Sequence, residues 1–228
     1  YRLRWLDQAQ ALLDGVSITQ AAQRLEVARS TAFRWRHRFL ALPQHAKAAH
    51  MSGIVEADET CLLKSCKGQR QKRRQQARVP RRRGGRARQR GMSSEQDIVL
   101  VVRDRSGVCT DQVVQALDTA HLAAVLQPVL APDAVLCTDG SSALAAAARH
   151  IGVEHHAINA SAGQHRIGPW HINNVNGHHS RLKNWLRRFN GVASDYLARY
   201  LGWFRVQDRA RASGGLSTTT LLTLALGI

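Results

Sequence analysis

The chain has 228 residues, 44% of them hydrophobic, with 33 Lys and Arg against 16 Asp and Glu and a formal net charge of +17. That length and apolar content suffice for one packed domain of ordinary size plus a small appendage. No run of eighteen apolar residues and no signal peptide is present, which argues against a membrane-spanning helix and makes a reducing cytoplasm the expected compartment.

The charge is unevenly spread. Between Lys67 and Arg90 stand twelve Lys and Arg and no acid, leaving +5 for the rest of the chain, so the pI near 11.3 mainly reflects one segment. A polyanionic partner met locally is implied: nucleic acid first, an anionic membrane surface second, because the block has almost no large apolar residue to insert. Four cysteines, Cys61, Cys66, Cys109 and Cys137, show no C-x-x-C pair, which speaks against structural zinc. The first residue is Tyr1 rather than Met, from which further upstream sequence is expected.

In chain order, helical periodicity covers Leu6 to Asp14, Ile18 to Leu25 and a third segment from Arg29, with a break at 26–28. Ala21, Ala22, Leu25, Val27, Ala32 and Trp35 fall where two helices must cross closely, the spacing of a helix-turn-helix. Glu26 stands where such turns often carry Gly and is expected to adopt a left-handed conformation. Arg29, Ser30, Thr31 and Arg34 would then face a major groove; a three-helix bundle for protein contacts is the alternative. A connector is expected over 42–52, with Pro43 as its breaker.

The main domain opens with a strand over Ile54 to Leu63, a buried strand over Asp97 to Arg103 and its hairpin partner Val108 to Val114 across Asp104-Arg105-Ser106-Gly107. Then come a helix over Thr119 to Leu130, a short strand Ala134 to Thr138, an Ala-rich helix Ser141 to His150, a strand Val153 to Ile158, and late helices over Asn174 to Phe189 and Ser194 to Gln207. Antiparallel strands first, then alternating helix and strand, is the order of an α/β fold with a ribonuclease H-like mixed sheet and flanking helices, preceded by an all-α helix-turn-helix. The boundaries read as 1–42 for the helix-turn-helix, 52–210 for the ribonuclease H-like domain with a basic insertion at 67–91, and 211–228 for a C-terminal tail.

Period-two alternation in Ile54-Val55-Glu56-Ala57-Asp58-Glu59-Thr60 puts Glu56, Asp58 and Thr60 on one face. Glu56 and Glu59 compete with Asp58 as metal ligands, but only Glu56 shares its face. Asp139 follows the short strand and precedes Gly140, where a carboxylate projects from a strand end or simply makes a turn. On the helix from Asn174, Val175, Leu182, Leu186 and Phe189 form an apolar stripe, while Asn176 and Lys183 project on one flank with His179 between them. His178 and His179 point to different sides of that helix, so a joint zinc site with His171 is not expected. Trp185 and Trp203 are expected in the core.

The run His171-Ile172-Asn173-Asn174-Val175-Asn176-Gly177-His178-His179-Ser180-Arg181-Leu182-Lys183, continued by Trp185, Arg188-Phe189, Gly191-Val192-Ala193 and Tyr200-Leu201-Gly202-Trp203, resembles the end of bacterial insertion-sequence transposases of the DDE superfamily. The match is to the ISXO-like branch, where Asn stands for the third acid and Lys follows two turns later. Val55-Glu56-Ala57-Asp58-Glu59-Thr60, Lys67-Gly68, Arg83-Gly84-Gly85 and Val102-Arg103-Asp104-Arg105-Ser106-Gly107 resemble the first half of the same family. The resemblance runs from about Leu12 to Arg205.

It implies that Asp58, Asp139 and Asn176 hold two Mg²⁺ or Mn²⁺ ions, with Lys183 as the accompanying basic residue. It implies binding of terminal inverted repeats, cleavage at the element ends and transfer of the 3′ ends to target DNA, by a homo-oligomer on double-stranded DNA and without a membrane. Arg29, Ser30, Thr31 and Arg34 would contact DNA from the helix-turn-helix, and Arg73, Arg74, Arg81, Arg82, Arg83 and Arg86 from the basic insertion. Relatives often carry a zinc ribbon ahead of the helix-turn-helix, and no cysteine precedes Cys61 here. A catalytically inactive or truncated remnant that only binds DNA, and a ribonuclease H-like nuclease, are the competing functions.

Overall fold

The computed structural model describes residues 2–45, 47–69, 87–88, 93–159, 162–211, 214–215 and 217. Its elements are α1 (Arg2–Leu13), α2 (Ile18–Arg24), α3 (Arg29–His45), β1 (Ile54–Leu63), β2 (Gln96–Asp104), β3 (Cys109–Val114), α4 (Thr119–Leu126), β4 (Val135–Thr138), α5 (Ser142–Ile151), β5 (Glu154–Ala157), α6 (Asn173–Arg187) and α7 (Leu197–Arg211). The described residues form two compact units, one within Tyr1–Lys47 and Arg199–Ile228 and one within Ala48–Ala198. By contact, the described residues from Arg199 onward group with the first helices.

In the helical unit, α2 starts at a capping box. Ser17 Oγ accepts from the Gln20 amide at 3.2 Å and the Ser17 amide donates to Gln20 Oε1 at 3.0 Å, satisfying donors that the helix itself leaves unpaired. Ala11, Ala21 and Leu25 pack together with Val16 and Val27 against them, so small side chains let the helices cross closely. Glu26 has φ 53°, the left-handed turn expected between α2 and α3.

α3 runs on through Pro43 to His45, where the sequence reading ends it in a connector. The proline stands in the last turn, so it removes a bond near the helix end rather than in the interior. Its carbonyl accepts from Arg205 Nη2 at 2.8 Å. α7 reaches Pro43 because position 202 is glycine: a Cβ there would lie 2.5 Å from the Pro43 carbonyl oxygen.

His37 is buried in the same unit, its ring 4.3 Å from Phe33 and 5.9 Å from Tyr200 between centroids. Burial, with the nearby positive charges of Arg199 and Arg36, holds its pKa down at about 4 against an ordinary 6.5. The fold therefore prefers the neutral ring: this stabilisation is complete above pH 6.5 and is lost as pH falls through 4. His37→Phe is expected to remove that acid sensitivity, so melting temperatures of variant and wild type should diverge between pH 6.5 and 4. Parallel curves over that range would contradict it.

The second unit holds a five-stranded sheet in the order β3-β2-β1-β4-β5. β1, β2 and β3 form an antiparallel meander, with Ala57 opposite Val102 and Asp58 opposite Val101, while β4 pairs parallel to β1 and β5 parallel to β4. This is the mixed, ribonuclease H-like sheet expected from the element order. One face carries Val55, Ala57, Leu100, Val102 and Leu136 into a core closed by Leu122 and Leu126 of α4 and Leu144, Ala147 and Ala148 of α5. On the other face lies α6, burying Val175, Leu182 and Trp185.

Strand bounds agree with expectation to within about a residue. α4 stops at Leu126, four residues before the expected Leu130. Trp185 and Trp203 are buried as expected. Among the described residues no helix is long and apolar enough to cross a membrane. The tail from 212 lies almost wholly outside the described residues.

Candidate active site

β1 pairs with β4 only over Ile54–Glu56, and β4 ends at Thr138. Two further residues in the same register bring Asp139 level with Asp58, just past the point where the two strands part. Asp58, Glu59 and Asp139 each offer a carboxylate oxygen there, and these atoms lie within 4.8 Å of one another. Asp58 and Glu59 are half-buried and Asp139 is exposed.

Glu59 is the departure from the sequence reading, which sets it on the opposite face from Asp58. Alternation does hold along β1: Val55 and Ala57 enter the core under α4 and α5, while Asp58 faces α6. Beyond Glu56, however, β1 has lost β4 as a neighbour, so side chains from both faces can turn round the open edge. Burial, reinforced by the charges of Asp58 and Asp139, pushes the Glu59 carboxyl up to about 7. Its Oε2 is buried with no hydrogen-bond partner among the described residues.

Asp139 is oriented from behind. Its Oδ1 accepts from the Ser141 amide at 3.0 Å, and Gly140, at φ 89°, supplies the left-handed turn that leads from β4 into α5. Asp58 is met from α6 by His179, whose Nδ1 lies 3.5 Å from Oδ2. His179 is 6% exposed, and its Nε2 has no hydrogen-bond partner among the described residues.

The other acid on the Asp58 face is used differently. Glu56 is fully buried and stands outside the carboxylate group, accepting from the Asn174 amide at 2.8 Å, Asn174 Nδ2 at 2.9 Å and the Val175 amide at 2.9 Å. Arg105 Nη1 pairs with it at 3.0 Å.

The three histidines singled out in sequence go to three places: His171 to Arg105 and Glu56, His178 to Arg103 and Cys109, and His179 to Asp58. Asn176 and Lys183 are exposed on α6, one turn to either side of His179. Burial raises the Cys61 thiol, the Glu59 charge adds to this, and the charge of Lys183 acts against both.

On α3, Arg29, Ser30 and Arg34 are exposed and Thr31 partly so. Arg73, Arg74, Arg81, Arg82, Arg83 and Arg86 lie outside the described residues.

A group of three carboxylates with one unsatisfied buried oxygen is a donor set able to coordinate a hard divalent cation, which takes oxygen ligands. Residues 50–205 match the family model described as ISXO2-like transposase domain, and residues 1–43 the one described as homeodomain-like domain. A curated relative, "Uncharacterized protein in transposable element ISH50" of Halobacterium salinarum, is 28% identical over 214 residues, which cover 92% of this chain and 70% of the relative. Two solved structures are distantly similar. One is a pre-cleavage Mos1 transpososome (13% identity, TM-score 0.29, covering 92% of this chain and 78% of that one); the other is a Mos1 transposase paired-end complex with left transposon end (15%, 0.29, 91% and 77%).

Proposed function

We propose that this chain, which belongs to the ISXO2-like transposase family, is the DNA transposase of an insertion sequence, binding the terminal inverted repeats and catalysing metal-dependent cleavage and strand transfer. The observation that carries this reading is the convergence of Asp58, Glu59 and Asp139, from the middle of β1 and the end of β4, within 4.8 Å. Three like charges held so close favour a bound cation.

Asp58, Asp139 and Asn176 would hold two Mg²⁺ or Mn²⁺ ions, with Glu59 as a further carboxylate. Bound there, the ions would activate a water or a 3′-hydroxyl and stabilise the oxygen leaving phosphorus. His179 steadies Asp58 from α6, and the Ser141 amide steadies Asp139. Asn176 precedes His179 by three residues, a spacing that puts their side chains on neighbouring positions of one helix flank. Lys183, a turn further on, would meet a DNA phosphate. In the helical unit Arg29, Ser30, Thr31 and Arg34 form the edge of α3 offered to a major groove, and the cations of the basic insertion would grip the backbone. Pairing two element ends would require at least a dimer.

The test is to incubate the protein with labelled element-end duplex and target DNA, with Mg²⁺ or Mn²⁺. Cleavage followed by joining of the 3′ ends supports a transposase. Binding without metal-dependent cutting marks a remnant, and cutting without joining marks a nuclease. Affinity for duplex DNA is also expected to fall steeply with salt, as for a protein neutralising about five to ten phosphates; a flat salt response in a filter-binding titration would count against the basic insertion as a DNA contact.

A further inference from the structure

On the reading that Asp58 belongs to the cleavage centre, we propose that Glu56 is a positioning residue of that centre: it fixes the height of α6 along β1 so that the helix presents His179, and with it Asn176, to Asp58.

A carboxylate sealed inside a sheet is costly unless its charge and lone pairs are matched. Glu56 is fully buried, and its compensation comes from the first turn of α6 and from the guanidinium of Arg105 in the β2–β3 turn. Two backbone amides, Asn174 and Val175, and the Asn174 side chain donate to its two oxygens. α6 has no side-chain cap of its own, since its N-cap is Ile172. Glu56 therefore supplies from a neighbouring strand what Ser or Asp normally supplies locally, and it places a negative charge at the positive end of the helix dipole. Arg105 extends the anchor: besides pairing with Glu56, its Nη2 donates to the carbonyls of Pro169 at 3.0 Å and His171 at 3.4 Å. At the far end, the exposed Lys67 Nζ donates to the carbonyls of Phe189 and Gly191, just past α6, at 2.7 and 3.0 Å.

The spacing turns this anchor into a register. From Val175 to His179 is four helical residues, an advance of about 6 Å. From Glu56 to Asp58 is two strand residues, about 6.6 Å. With Val175 locked onto Glu56, the helix and the strand bring His179 and Asp58 to the same level, as their 3.5 Å approach shows. Sliding the helix by one residue, about 1.5 Å, would break that match.

The test compares Glu56→Gln, which keeps the shape and removes the charge, and Glu56→Asp, which keeps the charge and shortens the reach, with Leu144→Ala, a core truncation on the opposite face of the sheet. Each is assayed at a temperature where its melting curve shows it folded. Three readouts are taken: hydrogen exchange at the Asn174 and Val175 amides, Mn²⁺ affinity of the protein without DNA, and cleavage per folded molecule. Both Glu56 variants are expected to exchange faster at those two amides and to lose about tenfold or more in Mn²⁺ affinity and cleavage, the scale of a residue acting behind a metal ligand. Leu144→Ala should lose stability and keep both. Should Glu56→Gln fail to fold, Glu56→Asp decides alone. A folded Glu56 variant with wild-type Mn²⁺ affinity and cleavage overturns the proposal, however low its melting temperature. An Asp139→Ala protein with unaltered Mn²⁺ affinity and cleavage would instead show that the centre itself is misassigned.

Discussion

Asp139→Ala is expected to lower DNA cleavage about a thousandfold or more while leaving duplex binding within roughly twofold, because a carboxylate that holds a cation at the reacting phosphate acts on the transition state and contributes little to ground-state affinity. The position is favourable for such a test. Asp139 is exposed at the end of β4, so truncation opens no cavity. It forfeits one hydrogen bond, from the Ser141 amide, worth about 1 kcal/mol. The binding determinants proposed above lie elsewhere, on α3 and in the basic insertion. Asp139→Asn, which keeps the shape and the acceptor oxygen, should be nearly as inactive as alanine if charge toward the cation is what matters. Single-turnover cleavage at saturating protein, measured beside a binding isotherm, separates the two effects. Retention of more than about a tenth of wild-type cleavage would remove this group of carboxylates from the chemistry.

What sequence could and could not reveal divides along a physical line. β1 is read with the correct bounds because ten residues of alternating or apolar character leave few other options. The mixed sheet order follows from three strands in hairpin succession and two more separated by helices. The separation of His178 from His179 is likewise local: neighbours on a helix diverge by about 100°, and the two rings meet different strands. The misses depend on where neighbouring elements stop. Alternation alone sets Glu59 away from Asp58; its return to the site depends on β4 ending at Thr138, which the composition of β1 does not report. Glu56 and Asp58 are equivalent by alternation, and only the arrival of the α6 amides distinguishes a helix anchor from a ligand. Arg105 reads as an ordinary turn residue between β2 and β3, yet its guanidinium bridges to Glu56, a contact formed only once the sheet is assembled. Pro43 reads as a breaker, and α3 passes it because the proline falls in the last turn.

Glu59→Gln is expected to move the metal-free and metal-loaded proteins in opposite directions. Without metal, three carboxylates share a small volume, and the Glu59 carboxyl, held up to about 7 by burial and by Asp58 and Asp139, is ionised only under strain. Its folded pKa lies above the ordinary 4.5, so the fold carries no penalty below pH 4.5 and loses stability as pH rises through 7. Glutamine does not ionise and escapes that loss. In the presence of a chelator at pH 8 the variant should therefore be the more stable protein by about 1 kcal/mol, or roughly 2–4 °C in melting temperature, with the difference vanishing below pH 4.5. With Mn²⁺ the order should reverse, because a cation offsets the crowding and a carboxylate binds it better than an amide; affinity for Mn²⁺ is expected to fall about tenfold. Melting curves across pH, with chelator and with Mn²⁺, test both halves. Equal stability at pH 8 without metal would show that Glu59 does not share the charge of Asp58 and Asp139. Unchanged Mn²⁺ affinity would show that Glu59 is a buried neighbour of the site rather than a ligand, and the reversal itself would mark an arrangement in which like charges are kept close at a cost to the fold because a cation is to sit among them.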